Sequence, residues 1–313
     1  MDEGFIVIMI AMQSPRFVPA TDLERETGLG KDLLRKWRER YGFPVPQRAI
    51  NGTQGYSRDQ VRQLRSIKRL LDAGFRPAQV VGKTVAELEQ LLRALSCEDT
   101  KLHWNRCTQE VIEKLKQHDL AGVNVILAKQ LSKGSLGDFV RDTVAPLIVA
   151  IGEAWVRGDI EVYHEHLCSD LLIRCLHAEL RALKPKRGFP RILLAAPPEE
   201  LHVLGLLMAE AVLAERGAHC MSVGPQLAMG DLAMAVQACK PDILAISFSA
   251  AYPARRVRPT LAHLRELLPG QVQIWVGGSG AAHIRRPPKG VLIFGDLQSV
   301  TSELLERVTS GRR

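Results

Sequence analysis

The chain has 313 residues, 46% hydrophobic and 24% charged, the balance of a folded protein with more than one core and not of a disordered or fibrous one. Its six cysteines (Cys97, Cys107, Cys168, Cys175, Cys220 and Cys239) form no Cys-x-x-Cys pair, which argues against a zinc site or a disulfide framework and fits a reducing cytosol. The net charge is +8, and between positions 31 and 76 twelve Lys and Arg meet only four Asp and Glu, so one segment carries the whole excess. Such a segment is the footprint of phosphate neutralisation or, more plainly, of a solvated charged face.

The apolar run at 5–12 is too short to span a membrane and follows no basic segment, so a cytoplasmic protein with no membrane partner is expected, starting at Met1, Met9 or Met12. Residues 17–92 read as short helices around a small wing. Leu23, Thr27, Leu29, Leu33 and Trp37 can pack two helices across the turn Thr27-Gly28-Leu29-Gly30, and the second helix, 31–41, turns Lys31, Arg35, Lys36, Arg38 and Arg40 outward. Pro44, Pro46, Asn51, Gly52 and Gly55 supply turn chemistry for a hairpin between Tyr41 and Ser57.

Residues 97–184 change to long amphipathic patterns at 104–117, 120–133, 136–157 and 160–183, which predict a four-helix bundle. Gly158 suits a left-handed turn after the third helix, and Asp159 is placed to begin the fourth. A linker, Lys184-Pro185-Lys186-Arg187-Gly188, follows. From 189 to 310, apolar runs at 191–196, 219–223, 243–247, 273–276 and 291–294 alternate with helical patterns, which predicts a doubly wound parallel sheet of flavodoxin-like kind. The expected fold class is therefore multidomain, α and α/β.

The stretch TGLGKDLLRKWRERYGFPVPQR, continued by NGTQGYSRDQVRQLRSIKRLLDAGFRPAQVV, resembles the MerR family of winged helix-turn-helix regulators. That resemblance implies double-stranded operator DNA as a partner, faced by Lys31, Arg35, Arg38 and Tyr41 of the recognition helix and by Arg48 and Tyr56 of the wing. Gln54 stands where the family usually carries an arginine, which removes or relocates one phosphate contact.

In an open parallel sheet, ligands bind beyond the carboxyl ends of the strands near the switch point. Glu200-x-His202-x-x-Gly205 follows the first strand, Ser247-Phe248-Ser249 ends the third and Gly277-Gly278 ends the fourth. Singly, each reads as a surface histidine or a turn. Together they resemble the cobalamin-binding domain of methionine synthase, corrinoid proteins and mutases, although the Ser-x-Leu of the commonest version is Ser-Phe-Ser here. By that resemblance His202 is the lower axial ligand of cobalt and Glu200 fixes its tautomer. Ser247 hydrogen-bonds the displaced nucleotide tail, and Gly205, Gly277 and Gly278 clear its path.

Trp155, followed after nine residues by Glu165-His166, resembles the light-sensing CarH and LitR class, in which bundle and cobalamin domain enclose adenosylcobalamin. The resemblance implies Trp155 against the adenosyl group, Glu165 and His166 on the adenosine or corrin, and a repressor that binds DNA as a dimer or tetramer until light releases it. In that class a histidine follows the tryptophan and takes the upper cobalt position after light. Here Val156 stands there, so water, His164 or a different photochemical outcome is left open. The rival readings are a light-insensitive sensor of cobalamin or another ligand, and a corrinoid methyl carrier, which has no use for the basic segment. No nucleophile, base and oxyanion donors converge in the sequence, so no enzyme is expected.

Overall fold

The computed structural model describes residues 17–48, 54–96, 104–183 and 190–310. The early apolar run, Asn51 and Gly52 of the hairpin, and the 184–188 linker lie outside the described residues. The chain packs as two compact units, one of Met1–Asn105 with Ala150–Glu165, the other of Arg106–Val149 with His166–Arg313.

In the first unit, β1 (Phe17–Pro19), α1 (Leu23–Thr27), α2 (Lys31–Tyr41), β2 (Gln47–Arg48), β3 (Gln54–Ser57), α3 (Arg58–Asp72), α4 (Pro77–Val80) and α5 (Val85–Ser96) follow one another. The hairpin forms as expected, and β1 adds a third antiparallel strand on β3, with Val18 opposite Tyr56. α1 ends at Gly28, whose φ of +68° lets its N–H reach the Glu24 carbonyl. The Thr27 hydroxyl donates to the Leu23 carbonyl at 2.7 Å and accepts from the Leu29 N–H at 3.3 Å, so α1 hands α2 a fixed direction. Leu23, Leu29, Trp37, Leu64, Ile67 and Leu88 fill the core. Leu33, expected there, is 38% exposed, while Leu34 is 3% exposed. Both stand about one turn before Trp37, and the core takes Leu34 while Leu33 falls at the margin of the buried face.

The helical part of the chain comprises α6 (Arg106–Lys116), α7 (Leu120–Leu131), α8 (Leu136–Phe139), a π-helical turn (Val140–Val144), α9 (Ala145–Arg157) and α10 (Val162–Ala182). The predicted third helix, 136–157, is thus one run with a wide turn inside it. Pro146 has no N–H for the carbonyl of Asp142, and the ladder slips so that the Ala145 N–H reaches the Val140 carbonyl, five residues back. Gly158 is left-handed as expected, with φ +74°. α10, however, begins at Val162 and not at Asp159, because the His164 imidazole caps it: Nδ1 accepts the Glu161 N–H at 3.0 Å.

The second unit also holds β4 (Arg191–Ala195), α11 (Leu204–Glu215), β5 (His219–Gly224), α12 (Met229–Cys239), β6 (Ile243–Ser247), α13 (Ala254–Leu267), β7 (Gln273–Gly277), β8 (Val291–Ile293) and α14 (Leu297–Ser310). The strands are all parallel, in the order β5-β4-β6-β7-β8. This is the doubly wound arrangement, and its central strand β6 is buried along its whole length, as a strand covered on both faces must be. The chain leaves β4 to one side and later returns to the other at β6, which places the switch point between the loops after β4 and β6. Among the described residues no helix is long and apolar enough to cross a membrane.

Candidate functional site

The loop after β4 opens with a turn in which the Glu200 N–H donates to the Pro197 carbonyl at 3.1 Å. Pro198 fixes the second position of that turn, and Glu199 takes the third at φ +69°, a left-handed conformation that costs a residue with a Cβ about 1 kcal/mol. The turn drives the Glu200 side chain inward, where the residue is 2% exposed.

Four donors from two loops converge on that carboxylate. Its Oε1 lies 2.8 Å from His202 Nδ1, accepts the His202 N–H at 2.9 Å and accepts the Ser249 hydroxyl at 3.0 Å, while Oε2 accepts the Ser249 N–H at 2.8 Å. Burial alone would push the Glu200 carboxyl up, but the His202 and Ser249 hydrogen bonds outweigh it and hold the group at about 2. An ionised carboxylate requires the proton on Nδ1, which leaves the imidazole lone pair on Nε2. The His202 side chain is 59% exposed, so a donor of fixed tautomer stands at the mouth of the switch point. Ser249 is the residue sequence reasoning missed. It lay in the quoted Ser-Phe-Ser signal, but only the fold brings its backbone and hydroxyl under Glu200.

Beside this knot, a cavity of about 190 Å³ is bounded by α11, the ends of β6 and β7, and the start of α14. Its walls are mostly apolar, with Leu206, Leu213, Trp275 and Phe294 among them, and Gly205, Ser247, Gly277 and Gly278 also line it. The glycines differ in what they do. A Cβ on Gly205 would meet Ser247 Oγ at 3.0 Å, and one on Gly278, at φ +92°, would meet the Phe248 carbonyl oxygen at 2.1 Å. One on Gly277 would meet nothing within 4 Å.

In the first unit, Lys31, Arg35 and Arg48 are exposed, and Arg38 and Tyr41 are half-buried. Arg35 sits loosely between Asp32 and Glu39, 3.7 Å from each. Tyr56, expected on the wing's DNA side, is 5% exposed and belongs to the core cluster, which leaves little of its ring for DNA. Four of the twelve basic residues counted toward a phosphate footprint, Arg58, Arg62, Arg65 and Arg69, lie against the 150–165 segment instead. Arg58 pairs with Glu161, Arg69 stands 3.8 Å from Glu153, and the Arg65 guanidinium lies 4.5 Å from the centre of the Trp155 ring.

Trp155 is half-buried, and its indole N–H is buried with no hydrogen-bond partner among the described residues. Glu165, half-buried, ends the first unit, and His166, exposed, begins the second unit's share of α10. The side chain of Val156 lies outside the described residues.

Residues 19–92 match the MerR HTH family of regulatory proteins, and residues 108–178 match a B12 binding domain. The second match lies on the helices α6 to α10 and not on the sheet. The HTH-type transcriptional repressor CarH of Myxococcus xanthus is 30% identical over 266 residues, 81% of this chain and 86% of that protein. The HTH-type transcriptional repressor CarA of the same organism is 30% identical over 291 residues, 90% and 93% of the two chains. Among solved structures, the Methanosarcina barkeri monomethylamine corrinoid protein shares the fold at a TM-score of 0.52 and 12% identity, over 63% of this chain and 95% of its own. With a MerR reader, a B12 binding domain and this identity over most of its length, the chain belongs to the family of HTH-type transcriptional repressors that includes CarH and CarA.

Proposed function

We propose that this chain is a repressor that holds operator DNA as an oligomer while adenosylcobalamin is bound, and that light ends the hold. The observation that carries the reading is the Glu200–Ser249 lock on His202 beside a glycine-lined, apolar channel. Those residues suit a corrinoid. Among the described residues no group of three or more His, Cys, Asp or Glu is placed to hold a bare metal ion. His202 offers a single donor, which would suit a cobalt already held in a macrocycle.

Adenosylcobalamin, when bound, supplies a cobalt–carbon bond that light can break. His202 would hold the cobalt through Nε2, and Glu200 would raise the basicity of that nitrogen while Ser249 keeps the carboxylate in place. Gly205, Gly277 and Gly278 admit the tail to the channel, and Ser247 offers it a hydroxyl. Trp155 would stack its indole on the adenosyl group, and Glu165 and His166 would contact the adenosine or the corrin, a carboxylate being able to accept from ribose hydroxyls. Lys31, Arg35, Arg38, Tyr41 and Arg48 take the DNA. Ligand and DNA are coupled only so far as the two states of the protein bind each of them differently.

Val156 favours a second reading, a cobalamin-sensing repressor without a light response, because valine cannot take the upper position that a histidine takes in the CarH and LitR class. One experiment separates the two. The visible spectrum and size-exclusion profile of the protein with adenosylcobalamin are recorded in the dark and after green light. A change of both supports the photoreceptor. Binding without a light-dependent change of size supports the sensor, and no uptake of the cofactor removes the His202 assignment.

A further inference from the structure

Arg58, Arg62, Arg65 and Arg69 fall at the spacing that lines one face of a helix, and in the first unit that face of α3 lies on the corner between α9 and α10. Arg58 pairs with Glu161 before the first turn of α10. Arg69 approaches Glu153, which also accepts the Trp104 indole N–H at 3.3 Å. At Gly158 the backbone runs so close that a Cβ would sit 3.0 Å from Arg62 Nε. Between these contacts, the Arg65 guanidinium covers the Trp155 ring at 4.5 Å.

Arg65 is also tied in the opposite direction. Its side chain is 6% exposed and ion-paired with Glu26, and its Nε donates to the Glu26 carbonyl at 3.0 Å. Glu26 belongs to α1, and the Thr27–Gly28 turn that ends α1 sets the direction of α2. Arg58 and Arg69 are each more than a third exposed and screened by salt, whereas Arg65 is buried and screened little.

We propose that Arg65 is the positioning residue that couples the ligand side of Trp155 to the recognition helix: it senses where the indole lies and passes that through Glu26 and α1 to α2. This rests on the reading above, in which Trp155 packs against the upper ligand of the cofactor. A guanidinium can report the position of a ring because the contact depends on the cation standing over the ring face. A lysine keeps the charge and the Glu26 pair but loses the planar surface.

The test uses the full chain with an operator fragment selected from random DNA by the dark, adenosylcobalamin-loaded protein. DNA affinity is measured loaded in the dark and again after green light, for the wild type, for Arg65→Lys, for Arg58→Glu, and for Arg58→Glu with Glu161→Arg. In the wild type the dark-to-light ratio is expected to reach about 10-fold, and in Arg65→Lys to fall below about twofold with an unchanged cofactor spectrum. Arg58→Glu lowers the ratio too, and the added Glu161→Arg restores it. Amide exchange of residues 150–165 in cofactor-free protein is expected to quicken in Arg65→Lys, a readout that needs no ligand. A wild-type ratio of one sinks the light-released repressor itself and the coupling with it. A responsive wild type matched by an equally responsive Arg65→Lys overturns the coupling alone, and if Arg65→Lys does not fold, a Glu26→Gln protein that keeps the full ratio overturns it instead, because that change removes the ion pair by which Arg65 reaches α1.

Discussion

Gly277 and Gly278 are neighbours with opposite surroundings, and they separate what the fold needs from what a ligand needs. At Gly278 a Cβ would strike the Phe248 carbonyl, and its φ of +92° is strained for any other residue. Gly278→Ala is therefore expected to destabilise the protein by about 3 kcal/mol or more, read in a denaturant melt without cofactor. Gly277→Ala meets no atom, so the same melt is expected to be nearly unchanged, while its methyl narrows the channel and weakens cobalamin uptake in a spectroscopic titration. A Gly277→Ala protein that binds cobalamin as the wild type does would place the tail elsewhere. Glu200→Gln keeps shape and acceptor but not charge, and it is expected to weaken uptake on the order of 10- to 100-fold. The same titration checks it, with an unchanged affinity removing Glu200 as the group that tunes His202. The Gly-Gly pair was visible in the sequence, but the division of labour was not, because it depends on how closely the Phe248 backbone approaches. Ser249 escaped for the same reason: a hydroxyl 49 residues from its carboxylate partner has no local signature.

Helices α2 and α3 are alike in charge and differ in what the charge faces. α2 was readable to the residue, since the Thr27–Gly28 turn and Gly42 punctuate it and Trp37 fixes its buried side. Its one misplacement, Leu33 for Leu34, is an error of phase within the right helix. The arginines of α3 counted toward the basic excess of 31–76, because sequence shows where charge lies and not what folds back onto it. The wide turn at 140–144 was likewise hidden, its cause being a single proline that a helix can also accommodate by ending. The two helices make separable predictions about salt. Lys31→Ala and Arg38→Ala are each expected to lower the slope of log affinity against log salt by about one unit, as each removes one phosphate neutralised. Arg69→Ala is expected to leave that slope unchanged, because Arg69 stands against Glu153. Anisotropy titrations with an operator fragment over a salt series decide the matter: an equal drop for all three would place Arg69 at the DNA as well.

The order of parts, reader then helices then sheet, was legible along the chain because short helices about a hairpin, long amphipathic helices, and apolar strands alternating with helices leave different patterns. How those parts divide into compact units was not, for residues 150–165 belong to helices whose remainders pack with the sheet. A helix pattern states which face is apolar and says nothing of which end joins which body. Trp155 falls in the reader's unit, and Glu200 and His202 in the sheet's. For the proposed coupling of cofactor to operator DNA, linkage sets a quantitative condition. If adenosylcobalamin tightens operator binding by some factor, operator DNA must tighten adenosylcobalamin by that same factor at equal protein concentration. Adenosylcobalamin affinity is therefore measured in the dark with and without saturating operator, against the DNA affinity with and without cofactor. The two ratios are expected to agree, at about 10-fold. In Arg65→Lys both are expected to approach one together, because a coupling residue belongs to neither site and its loss must appear equally from either side. Cofactor affinity indifferent to operator DNA, in a protein whose DNA affinity still follows the cofactor, would show that the two titrations sample different assemblies and that Trp155 and the reader are not linked within one chain.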